Sequence, residues 1–261
     1  MSQIREIKDR MNGIQSTMKI TKAMYMISST KMNTAKQKAA NTDPYFYSLR
    51  KQILTILQNL PDHFEHPYLD SREYIDEKHQ NKAIICVTGD KGLAGAYNLN
   101  VLKLTEQIIK AHPNYKLYMI GEVGRQYFLR RHIPVEESFL YTAQNPTLSR
   151  ARSISSKMLE LYAEKAIDEV LIIYTRMDQH NQFTVDVEQL LPLYRLNHEV
   201  EVGGQTIHSI QLEPSPAELL NIVIPDYLSG FIYSALVESY ASENFARMQQ
   251  WIQPTKMVKN Y

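Results

Sequence analysis

Ile4, Ile7, Met11, Ile14 and Met18 recur at intervals of 3, 4, 3 and 4 residues. That spacing predicts a helix with a narrow apolar stripe, the pattern of a coiled-coil seam rather than of a broad core-facing helix. The helical pattern continues through ITKAMYMISSTKMNTAKQKAA, with no proline before Pro44. Gly13 costs such a helix about 1 kcal/mol relative to alanine. NTDPYFY (41–47) is expected to interrupt or restart the helix, since proline suits a first turn. YSLRKQILTILQNL then carries the amphipathic pattern to about residue 60. At 1.5 Å per residue this is roughly 80 Å of helix, which needs a partner to be stable.

Residues 61–81, PDHFEHPYLDSREYIDEKHQN, are polar and proline-bearing and read as a linker or exposed loop. The period then changes. Ala83–Thr88 is a short β-branched apolar run ending in a glycine-rich turn, VLKLTEQIIKAHP is an amphipathic helix and KLYMIG is a second buried strand. EVGRQYFLRRHIP and NPTLSRARSISSKMLELYAEKAID read as helices, the second capped by Asn145 or Thr147. EVLIIYTR is a third apolar strand, and TVDVEQLLPL a strand and turn. This alternation predicts an α/β class domain over 82–210, with a parallel, doubly wound, Rossmann-like sheet.

From 211 the period is helical again. Ser215 is placed as a cap and Pro216 in the first turn. Leu220, Ile224, Tyr227, Phe231 and Ala235 form a seam that Ala241, Phe245 and Met248 extend, giving a C-terminal helix over 211–250. Two long terminal helices therefore flank one α/β domain, and neither buries its stripe alone. The economical arrangement winds them into an antiparallel coiled coil, with the domain to one side at its base. Pro254 is expected to stop the second helix, leaving 251–261 as a tail.

Composition narrows the class. One cysteine, Cys86, excludes a disulfide framework and a cysteine-based zinc site. No unbroken run of about 18 apolar residues occurs, so no spanning segment is expected, and MSQIREIKDRM is charged from its start, unlike a signal segment. A net charge of +1 hides an asymmetry. Residues 1–40 hold eight Lys or Arg against Glu6 and Asp9, a local +6 that leaves −5 for the remainder. Such a segment could face nucleic acid, an anionic membrane or an acidic protein surface. Few aromatics and interleaved seam residues weigh against nucleic acid.

Candidate chemistry is sparse. TGDKGLAGAYN (88–98) lies between a strand and a helix, where phosphate sites form. Its glycines are spaced GxxGxxG rather than GxGxxG, and no GK[ST] follows, so a structural turn is favoured over a nucleotide site. The eight histidines are scattered without HExxH or HxH. Glu136, Glu137, Asp168 and Glu169 lie at element edges and read as solvated surface. Neither a catalytic nor a metal constellation emerges, and no cofactor is expected. MKITKAMYMISSTKM (18–32) differs from an ordinary helix: Met18, Met24, Met26 and Met32 mix with Lys19, Lys22 and Lys31 around the whole circumference. Adaptable methionines and flexible cations suit a helix enclosed by a partner that changes shape.

KITKAMYMISSTKM resembles the N-terminal signature of the gamma subunit of F-type ATP synthases. VTGDKGLAGAYNLNVLK, DVEQLLPL and EPSPAELLNIVIPDYLSGFIYSALVESYASENFARM resemble other parts of that family in the same order and approximate spacing, over residues 1 to about 249. The resemblance implies a non-catalytic central shaft inside a hexamer of alpha and beta subunits. Its α/β domain would stand against epsilon and the c-ring, peripheral to the cytoplasmic face of a bacterial membrane. Rotation driven by proton flow would force the beta sites through different conformations. Residue by residue, it implies that Lys19, Ile20, Lys22, Met24 and Lys31, with Arg247 and Met248 opposite, face the hexamer, and that Glu213 lies toward the c-ring. The +6 segment gives a physical reason, attraction to carboxylates without a fixed register. Ala94 stands where many members carry cysteine. The alternative function is a nucleotide-binding α/β protein with helical interaction arms.

The family continues as helix beyond ARM, whereas this sequence reads QWIQPTKMVKNY. Reverse translation with the frame moved back one base permits MD[TS]A[HN]KNGEEL, which resembles the family's continuation. The expectation is therefore that the last dozen residues are out of frame; a naturally short gamma is the alternative.

Overall fold

The computed structural model describes residues 2–61, 64–70, 72, 75–76, 79–178, 180–193 and 215–258. Helix α1 spans Ser2–Gln58 without a break, about 85 Å at 1.5 Å per residue. It runs through Pro44, so NTDPYFY neither interrupts nor restarts it. A proline removes one i→i−4 bond and crowds the carbonyl behind it, costing about 3 kcal/mol without forbidding continuation. Thr17, Thr21, Thr30, Thr42 and Thr55 each donate to the carbonyl four residues earlier, so their hydroxyls are satisfied inside the helix.

The second long helix, α5, spans Pro216–Val258. Ser215 Oγ accepts from Glu218 N at 3.3 Å, as its position before Pro216 predicts. The helix continues past Pro254 to Val258, so the expected stop at that proline is not observed; 259–261 lie outside the described residues, as does 194–214 with Glu213. The two helices run antiparallel: Phe46 meets Tyr233 (ring centroids 6.2 Å apart), and Lys31 and Arg50 lie in the electrostatic surroundings of Glu243 and Tyr227. Within Pro216–Ile252 an 18-residue window is apolar enough by composition to cross a bilayer (mean hydropathy 1.4), which no unbroken run announced. Its buried residues Leu220, Ile224, Leu228, Ile232 and Leu236 pack with α1, the sheet and the helix at 148–163.

Between these helices in chain order come the strands of a four-stranded sheet, β1 (Lys82–Val87), β2 (Tyr115–Ile120), β3 (Glu169–Met177) and β4 (Phe183–Leu191), arranged β2-β1-β3-β4. β1 pairs in parallel with β2 and β3, while β4 is antiparallel to β3. The wholly parallel sheet expected from sequence is thus corrected to a mixed one. The reason is length: the turn from Met177 to Phe183 is too short for a crossover, which needs a dozen residues or more. Helices α2 (Tyr97–Ala111) and α3 (Glu122–Leu129) cover one face, packing Val101, Leu102, Ile109 and Phe128 on Ile84 and Cys86. Helix α4 (Leu148–Ala163) and the long pair cover the other, around Ala83, Ile85 and Ile172. Thr147 is the cap of α4, accepting from Arg150 N, and Asn145 is not.

The segment between α1 and β1 is not simply an exposed linker. It carries a short 3-10 helix at Pro67–Leu69, and His66 and Arg72 are buried. Arg72 Nη1 lies 2.6 Å from Asp168 Oδ1, and its Nη2 donates to Tyr162 O at 2.7 Å. Asp168 is therefore buried rather than solvated, and Glu169 is mostly covered, 2.5 Å from Lys82 Nζ. Both carboxylates sit at the start of β3, where cations from the preceding segment and from β1 neutralise them.

Candidate functional site

Two regions gather the residues singled out in the sequence. The first is the upper part of α1. Lys19, Lys22 and Lys31 are exposed, Ile20 is 61% exposed and Met24 is half-buried. The face turned to α5 is made instead of Thr21, Ser28, Met32 and Ala35. Thr21, Ser28 and Ala35 are seven residues apart, the signal the stripe of isoleucines obscured: small side chains at a seam let two helices approach closely. Of the methionines expected around the helix, Met32 is buried, Met18 and Met24 are partly covered and Met26 is exposed. Further toward the N-terminus, Ile4, Ile7, Met11 and Ile14 are between 42% and 74% exposed. The narrow stripe read from their spacing is present on the helix but covered by nothing among the described residues.

The second region is the turn after β1, where the strand order reverses and doubly wound sheets place their ligands. Here it is filled from within. Glu243 of α5 is buried, and a Cβ on Gly89 would stand 2.8 Å from its Oε1. Gly95 has φ +55°, and a Cβ there would stand 2.7 Å from Gln250 Nε2. Arg247 donates from Nη1 to Gly92 O at 2.7 Å and from Nη2 to Lys91 O at 3.2 Å, and lies 2.5 Å from Glu243 Oε1. The Tyr97 hydroxyl and Ser239 Oγ are 2.7 Å apart. Burial raises the Glu243 carboxyl above the usual range, the Arg247 guanidinium pulls it back, Asp90 raises it and Lys31 lowers it.

The donors an anion would use are also taken. Gly89 N donates to Asn98 Oδ1 at 2.8 Å. Asp90 accepts from Glu122 N at the start of α3, from Ala143 N and Gln144 N, and from the Thr142 hydroxyl. Two carboxylates, Glu243 and Asp90, thus hold the place where a phosphate would sit. This geometry opposes the nucleotide-binding alternative.

Arg247 and Met248, expected to face the hexamer from the opposing helix, are instead both largely covered within the chain: Arg247 is engaged on the turn, and Met248 is 9% exposed. No group of three or more potential metal ligands occurs among the described residues.

The ATP synthase family model matches residues 3–260. The ATP synthase gamma chain of Caldanaerobacter subterraneus is 36% identical over 94% of this chain and 85% of its own length. That of Ruminiclostridium cellulolyticum is 37% identical over 97% and 86%. Among solved structures, the Tetrahymena thermophila mitochondrial ATP synthase central stalk/c-ring chain matches with a TM-score of 0.65 at 22% identity, covering 90% of this chain and 99% of that one. A Euglena gracilis mitochondrial ATP synthase rotor chain gives 0.64 at 18% identity, covering 99% and 93%. Matched along almost its whole length by bacterial gamma chains, this chain belongs to the ATP synthase gamma family.

Proposed function

We propose that the chain is the central-stalk rotor subunit of an F1Fo ATP synthase, a non-catalytic part that couples proton-driven c-ring rotation to conformational change in the alpha/beta hexamer. The observation that carries this reading is the upper half of α1, a long helix whose isoleucines and lysines remain exposed among the described residues. A helix that is apolar and basic on exposed faces is marginal by itself, and enclosure by an acidic sleeve supplies both burial and countercharge. The α1–α5 pair is the coiled coil of that shaft, and the sheet domain, described over 82–193, is its Rossmann-like part.

Lys19, Ile20, Lys22, Met24 and Lys31 are the hexamer-facing residues in this reading. Arg247 and Met248 flank them on α5, and Glu213 lies toward the c-ring and epsilon. The complex holds the chain peripherally at the cytoplasmic face of a bacterial membrane. The test is reconstitution with the family's alpha and beta subunits, a bead on the sheet domain and ATP supplied. Stepwise rotation is expected. A complex that assembles yet never turns, or a chain that binds ATP by itself and ignores the hexamer, would overturn the reading.

A further inference from the structure

A rotor needs more than a shaft and a foot; the two must not turn relative to each other. Apolar packing is non-directional and resists twisting poorly. Directional bonds set away from the axis resist it well. α5 meets the β1–α2 turn through Ser239, Glu243, Ala246, Arg247 and Gln250, spaced so that they share one helix face. Arg247 is the central element. Its planar fork reaches two successive carbonyls, Lys91 and Gly92, and the carboxylate of Glu243 one turn earlier. Ala94 and Ala246 bring the backbones close in a small cluster with Tyr97, and Phe245 meets Phe183 of β4 edge-on, at 5.8 Å between centroids.

The receiving turn is itself held on both sides. Asp90 ties it to 142–144 and to α3, Asn98 caps Gly89 N, and Gly89 O accepts from Val123 N at 3.1 Å. The turn on which α5 sits is thus tied by hydrogen bonds to the sheet domain on both sides.

Resting on the rotor reading above, we propose that the seat of Ser239–Gln250 on the β1–α2 turn is the joint through which the sheet domain turns the helix pair, with the Glu243–Arg247 pair as its key. Glycine at 89 belongs to the joint, because any side chain there would push the Glu243 carboxylate out of its seat.

The test uses the whole complex in inverted membrane vesicles. Two variants are compared with the parent: Gly89→Ala, and the milder pair Tyr97→Phe with Ser239→Ala, which carries the measurement if the first does not assemble. Amide hydrogen exchange at 91–97 is expected to rise about fivefold, the factor one buried hydrogen bond supports. ATP-driven proton pumping per ATP hydrolysed is expected to fall while hydrolysis continues, because the shaft then slips against its foot. Faster exchange with an unchanged pumping ratio would reduce the contact to ordinary packing and overturn the proposal, as would unchanged exchange in both variants. An unmutated complex that hydrolyses ATP but never pumps would instead overturn the rotor reading itself.

Discussion

Cys86 sits in the middle of β1 with no exposure, taking a hydrogen bond from Thr105 Oγ1 at 3.3 Å. Burial pushes its thiol up from the ordinary 9.0 to about 12. Between these values the unfolded chain loses a proton that the folded chain keeps, so stability falls as pH rises from 9 toward 12. The slope is about 1.4 kcal/mol per pH unit for one proton. Replacing Cys86 by alanine should flatten chemical-denaturation stability over pH 9–11 by that amount; an unchanged slope would assign the alkaline loss to other groups, such as Tyr118, also pushed up to about 12. The Arg72–Asp168 pair has the opposite character, two buried charges that neutralise each other. Asp168→Ala leaves the guanidinium of Arg72 buried without its carboxylate and should cost about 3–5 kcal/mol in thermal unfolding. Arg72→Met combined with Asp168→Leu should recover most of that loss. Asp168 looks like any element-edge carboxylate in the sequence; its partner lies 96 positions away, and only folding brings the two together.

At the scale of elements, the helices were legible and their pairing faces were only partly so. The 3-4 spacing and the Ser215–Pro216 start give α1 and α5 directly, because local geometry fixes both signals. The crossing depends on a detail no period reveals: Gly230 of α5 lies under the Phe46 ring, where a Cβ would overlap it. Gly230→Ala should therefore destabilise the chain by about 1–3 kcal/mol through overpacking, although alanine is the better helix former by about 1 kcal/mol. Pairing it with Phe46→Leu should restore stability, a double-mutant cycle readable by denaturant titration; additivity of the two changes would deny the contact. β4 teaches the same lesson for the sheet. Its alternating pattern marks a strand, but its direction follows from the short turn at 178–182 rather than from its residues.

For the whole molecule, charge is the property that sequence delivers intact. The +6 of residues 1–40 survives folding because Lys19, Lys22 and Lys31 remain exposed. Reversing Lys19 and Lys22 to glutamate should slow association with the alpha/beta hexamer at low salt by tenfold or more, with the difference shrinking as ionic strength rises. Stopped-flow mixing at two salt concentrations checks this; a salt-independent effect would point to lost packing instead.

The sequence by itself determined two long amphipathic helices, an α/β domain between them and the absence of a catalytic motif, since each rests on local periodicity or composition. Family membership is likewise carried by the sequence, through four stretches that resemble the gamma family in the same order and not through period or composition. Tertiary structure alone decided which residues meet: Glu243 in the crevice beneath Gly89, Arg247 on the carbonyls of the turn, Arg72 on Asp168 and Phe46 over Gly230. Those contacts join positions roughly 100 to 180 residues apart, and a pattern with a period of two or four residues carries no information about them.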